Sequence, residues 1–185
     1  MNITYDQAWQ KLNEMVDNPN LVKHCLAVEA AMRFYADYFN VSEEDKEKWA
    51  IAGLLHDADW EKYPHQHPRV IVDWLKDNGA DEMIVNAVAA HGFEFGVEPK
   101  SLMAKVLRAV DELTGLIVAV ALVKGKKLSN VRVESVMKKM KDKAFARGVS
   151  REDIKRGAQE INIELKEHIK NVLVALQKVA DKLEL

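Results

Sequence analysis

One cysteine, Cys25, and four prolines are all that these 185 residues hold of the side chains that staple or punctuate small folds. A lone thiol excludes an internal disulfide and a thiolate zinc cluster, and it points to a reduced, cytoplasmic setting. An excess of one charge is missing too, since 27 Lys and Arg face 29 Asp and Glu for a formal net charge of −2. That balance gives no reason to expect nucleic acid or an acidic membrane surface as the main partner. Long hydrophobic runs are absent. The most apolar stretch, 113–123, contains Thr114 and Gly115 and stops at Lys124, too short to span a bilayer. The start, Met1-Asn2-Ile3-Thr4-Tyr5-Asp6, has neither a basic opening nor a long apolar run, so no secretory signal is expected. With no linker rich in Ser, Gly or Pro and no fixed repeat, one domain over 1–185 is the expectation.

What is present carries the helical period almost everywhere, and no segment alternates like a strand. Ala8, Trp9, Leu12, Met15 and Val16 make the stripe of a first helix. Asn18-Pro19 supplies a cap and a first-turn proline for a second, running to about Phe39. Ser42 with Asp45 caps a third that ends at His56. A loop rich in Pro and His follows from Asp57 to Pro68, and a fourth helix runs from Pro68 to Asn78-Gly79. Asp81 opens a helix through Ala90, and Ser101 opens a long apolar one to about Val123. A basic helix from about Val131 to Phe145, a cap at Ser150 with Asp153, and an amphipathic helix from about Ile161 to Leu183 complete an all-α reading. The expected core is about 18–123, with 124–185 as a helical flank. The apolar face of the last helix (Ile163, Leu165, Ile169, Val172, Leu173, Leu176, Val179) is wide enough to pack a second copy of the chain.

Ionisable residues occupy positions where this periodicity demands core. In the second helix Leu21, His24, Val28, Ala31 and Tyr35 share a face, so His24 points inward. The third helix aligns Trp49, Ala52 and His56, immediately followed by Asp57. His91 continues the stripe of Ile84, Ala87 and Val88, and Asp111 lies at the centre of Ala104, Leu107, Gly115 and Val118. One inward histidine is ordinary core chemistry. An unpaired carboxylate in a low-dielectric interior, however, costs several kcal/mol or is forced to protonate. Four helices each presenting such a group suggest convergence on a metal ion, as in helical bundles whose facing helices build metal sites. His24, His56, Asp57 and Asp111 offer two imidazoles, two carboxylates and no sulfur. Such a set suits Mn, Zn, Fe, Co, Ni or Mg, with Asp57 able to bridge to a second ion.

His24, then His56-Asp57 in an LLHDAD string, then Asp111 in an AVDELTG string, resembles the HD superfamily of metal-dependent phosphohydrolases. The pattern spans roughly Leu21 to Val123, and segment 100–148 is similar to small bacterial and archaeal HD proteins of unassigned substrate. The resemblance implies an HD-type helical bundle in which His24, His56, Asp57 and Asp111 are metal ligands. It also implies that His91 serves a second metal or a substrate phosphate. HD nucleotidases commonly carry Glu three residues after the Asp of the doublet, whereas this chain has Trp60 there, with Asp59 and Glu61 as the nearest substitutes.

The expected reaction is hydrolysis of a small, nucleotide-like phosphate ester by metal-activated water. Asp59 is a candidate base or orienting acceptor for that water, with an Asx turn as the plain alternative. His65 and His67 are candidate proton donors at the mouth of the site, or simply solvated loop histidines. Trp60 and Tyr63 offer an aromatic wall. Among the basic residues at 126–147, Lys126 and Arg147 are the candidates for substrate contact, against a plain solvated helix face. A di-iron oxygenase, which needs more histidine ligands, and a non-catalytic metal-stabilised ligand-binding domain remain open.

Overall fold

Short polar signals decide where each helix of this chain begins. The computed structural model describes residues 3–185, and among them every regular element is helical. α1 (Tyr5–Met15) starts at Thr4, whose hydroxyl accepts from Gln7 N while the Gln7 side chain accepts from Thr4 N. α2 (Pro19–Tyr38) starts at Asn18, with Pro19 in the first turn. α3 (Glu43–Leu55) is capped by Ser42, whose hydroxyl accepts from Asp45 N. α4 (Arg69–Asp77), α5 (Glu82–Ala89) and the long α6 (Leu102–Val123) follow within two residues of their sequence signals. These caps satisfy amide groups that the helix itself leaves without partners.

Two expectations for the last third are corrected. The basic helix ends early: α7 spans Val133–Met140 rather than reaching Phe145. Asp142 Oδ1 accepts from the amides of Ala144 and Phe145, a local alternative to the helical ladder. The Arg151 guanidinium then gathers the carbonyls of Phe145, Ala146 and Val149, holding 141–149 as a run of turns. The final helix starts later than expected and is divided near its end. α8 (Arg151–Glu160) is followed by a turn in which Asn162 adopts a left-handed φ of 55°, and then α9 (Leu165–Lys178) and α10 (Ala180–Leu183) are separated at Val179. Asn tolerates that region better than most non-glycine residues, which delays the start of the last helix from about Ile161 to Leu165.

α2, α3, α5 and α6 pack together as the frame of the site, with α8 and α9 laid against α6 and α2. Burial of Val28, Met32, Tyr35, Ile51, Leu54, Ile84, Leu107 and Leu113 joins the frame into one apolar interior. Gly53 and Gly157 allow the tightest approaches. A Cβ on Gly53 would sit 2.9 Å from Met32 Cγ, and one on Gly157 would sit 2.5 Å from Ala109 Cα. His168 of α9 ties the flank down. Its Nε2–H donates to Ala109 O at 2.9 Å, so Nδ1 accepts from the Tyr35 hydroxyl at 2.6 Å. Burial holds this imidazole low, at about 4, despite the hydrogen bond it donates to Ala109 O, which works the other way. Trp9, placed on the α1 stripe by periodicity, is 38% exposed and lies outside the core. No helix is long and apolar enough to cross a membrane among the described residues.

Candidate metal centre

Three helices converge at one point. α2 brings His24, the end of α3 brings His56 and Asp57, and the middle of α6 brings Asp111. His24 Nε2 lies 3.0 Å from Asp111 Oδ1, 3.2 Å from His56 Nε2 and 3.5 Å from Asp57 Oδ2. His56 Nε2 is 3.4 Å from both Asp57 Oδ2 and Asp111 Oδ1. Donors held at about 2.0–2.2 Å around one ion are separated by about this much.

A second set shares one residue with the first. Asp57 Oδ1 lies 3.3 Å from His67 Nε2 and 3.4 Å from His91 Nε2, and the two imidazole nitrogens are 3.2 Å apart. Asp57 therefore turns one oxygen to each group.

The protonation pattern tests whether a cation fits. His56 Nδ1–H donates to Gly53 O at 2.8 Å, and His91 Nδ1–H donates to Val88 O at 2.6 Å. His67 Nδ1–H donates to Asp59 Oδ1 at 2.6 Å. With Nδ1 so engaged, an unprotonated ring would carry its lone pair on Nε2, aimed at other nitrogens and at carboxylate oxygens. Acceptors facing acceptors in a mostly buried space demand positive charge among them. In the metal-free chain protons fill that need. Burial would lower the His24 imidazole, but hydrogen bonds to Asp111 and Asp57 outweigh it and carry the group to about 9. Burial is likewise overcome at His56, which the Asp57 and Asp111 charges raise well above its ordinary value. Asp57 and Asp111 are pulled well below the usual carboxylate range by His56 and His24, against their burial. This donor set fits a divalent cation, which would replace those protons.

The centre forms the floor of a cavity of about 390 Å3. Trp60, Phe93 and Phe95 supply aromatic wall, and Glu94, Glu112 and Asp153 supply acidic wall. The loop bearing His91 and Phe95 is clamped by Arg108 of α6, which donates to Ala90 O and Val97 O at 2.7 Å each. Burial pushes Glu112 up to about 7 even though it accepts from Ser150 N.

Several sequence-based expectations resolve differently. Asp59 is fully buried and faces away from the cavity, with Oδ1 on His67 and Oδ2 accepting from Ile71 N at 3.0 Å. Both of its oxygens are therefore engaged away from the cavity. Glu61 accepts from the amides of Asp17 and Asn18 and also lies outside the cavity. His65 is exposed, while His67 joins the donor cluster. Trp60 lines the cavity and Tyr63 does not. Arg147 is exposed outside this lining, although its neighbours Gly148 and Val149 belong to it, and Lys126 borders a different cavity reached past His24. Glu112 went unremarked in the sequence. Its only signal is a second acid beside Asp111 within an apolar helix.

The HD domain family model matches residues 21–116, just over half of the chain and the whole span from His24 to Asp111. No curated protein and no solved structure is significantly similar to it.

Proposed function

The chain belongs to the HD domain family, and from that premise we propose that it is a metal-dependent phosphohydrolase acting on a small phosphate ester. One observation carries this reading: Asp57 divides its two oxygens between the His24–His56–Asp111 group and the His67–His91 pair. We read the centre as holding two divalent ions, with His24, His56, Asp57 and Asp111 on one and Asp57, His67 and His91 on the other. Such ions lower the pKa of water towards neutrality and neutralise charge growing on phosphoryl oxygens.

The residues of the chain supply the rest. His56 and His91 are locked by the carbonyls of Gly53 and Val88, so their nitrogens stay aimed without reorganisation during the reaction. Asp59 does the same for His67. Trp60, Phe93 and Phe95 shield one side of the cavity from water and offer flat apolar surface to the organic part of the ester. Among the described residues no Lys or Arg lines this cavity, so phosphate charge would be met at the donor cluster itself.

A phosphate-release screen of the metal-loaded chain against nucleotides and sugar phosphates tests the proposal. Turnover that disappears in His56→Ala and Asp57→Ala supports it, and full activity in either variant refutes it. A second reading keeps one specific observation in its favour. Four imidazoles converge, the histidine-rich set that a di-iron oxygenase needs. Two irons per chain with a mixed-valence absorption, and no phosphate release, would favour oxidation.

A further inference from the structure

Three glycines lie inside helices: Gly53 in α3, Gly115 in α6 and Gly157 in α8. Gly53 and Gly157 are required by packing, because a Cβ on either would collide with its neighbours. Gly115, in the middle of α6, is not. A Cβ there would meet only Val149 Cγ2, at an ordinary 3.7 Å, and its φ lies outside the left-handed region. Glycine in a helix interior is less favourable than alanine, so neither backbone nor packing accounts for this one.

Its position suggests what does. Gly115 and His24 are shared by the walls of two cavities, the metal-centre cavity and an annex of about 540 Å3. Along α6 the residues Asp111, Gly115, Val118 and Leu122 follow steps of four, three and four, so they form one continuous stripe. The stripe leaves the centre at Asp111, passes the missing side chain and becomes the apolar floor of the annex. From Gly115 to Leu122 it runs about 10 Å along the helix axis. Leu183 faces it from the other side, and Lys23 and Lys126 stand at its rim. Leu122 is 50% exposed, an apolar side chain left facing an open cleft.

The geometry points to a substrate subsite: the annex holds an apolar organic group of the phosphate ester whose phosphate sits at the centre, and Gly115 keeps the passage between them open. The inference rests on the reading of the centre as a phosphate-ester site. It makes Gly115 a specificity-determining residue, and it gives Lys126 a place at the rim of the annex instead of beside the metal ligands. The class of substrate is an ester with an extended apolar portion, larger than a methyl or ethyl group.

Inert n-alkylphosphonates from methyl to octyl, titrated calorimetrically into the Mn2+-loaded chain, test this without turnover. The dissociation constant is expected to fall roughly two- to four-fold for each added methylene, as it does when methylenes leave water. Gly115→Leu should flatten that dependence by closing the passage. Leu122→Asp, at an exposed position where folding is not at risk, should flatten it as well. A flat series in the unmodified chain, or equal slopes in all three proteins, overturns the subsite. A steep series in a protein that releases phosphate from no ester upholds the subsite and removes the hydrolase reading. Absence of both metal and phosphonate binding removes the two together.

Discussion

Asp59 accepts from His67 Nδ1 at 2.6 Å and thereby turns His67 Nε2 towards Asp57 Oδ1, 3.3 Å away. The same carboxylate caps Ile71 N, so a single buried acid fixes both the start of α4 and the aim of a loop histidine. Asp59→Ala should weaken the second ion by roughly 10–100-fold while the first is retained. It should also cost about 1–3 kcal/mol by leaving Ile71 N–H without a partner. Stepwise metal titration and a melting curve read the two effects separately, and an unaltered second binding step would contradict the positioning role.

The shared position of Asp57 orders the remaining ligand variants. His67→Ala and His91→Ala should each lose one ion per chain, whereas Asp57→Ala should lose both. For His91→Ala the loss of turnover should exceed any loss of folding stability. Normal kinetics with a lowered melting temperature would make His91 a structural residue only.

Glycine substitutions should diverge in sign. Gly157→Ala places a Cβ against Ala109 Cα and should destabilise by about 1–3 kcal/mol, because backbone must move. Gly115→Ala meets no obstacle and should stabilise by about 0.5–1 kcal/mol. Differential scanning calorimetry distinguishes these outcomes, and a destabilised Gly115→Ala would return that glycine to a packing role.

His168 predicts an acid limb in the stability profile. Its folded pKa of about 4 lies below its ordinary 6.5, so between those values the unfolded chain binds more protons. The contribution is whole above about pH 6.5 and is lost as pH falls through 4, on the order of 3 kcal/mol in all. Denaturant titrations at pH 7.5 and 4.5 should show a larger loss in the unmodified chain than in His168→Gln. Equal losses would mean that the imidazole is not held neutral between Tyr35 and Ala109.

Legibility in the sequence followed how local each signal is. Caps at Asn18, Ser42, Asp81, Ser101 and Ser150 act through the next few residues, so most helix starts could be read directly. His24, His56, Asp57 and Asp111 were visible because helical periodicity places each on an apolar face. His67 was not, because loop 57–68 has no period and only the carboxylate of Asp59 aims its ring. The role of Asp59 stays open in the sequence for the same reason: nothing in the order of residues shows which way a turn faces. The break at 141–149 does not show in the sequence because it rests on tertiary hydrogen bonding from Arg151, and nothing in the periodicity marks the break at Val179.

Equilibrium titration of the metal-stripped chain with Mn2+ bears most directly on the shared centre. Two ions per chain are expected for the unmodified protein, one for His91→Ala and none for Asp57→Ala. No binding by the unmodified chain, or the same number of ions in all three proteins, would contradict a metal centre built around Asp57.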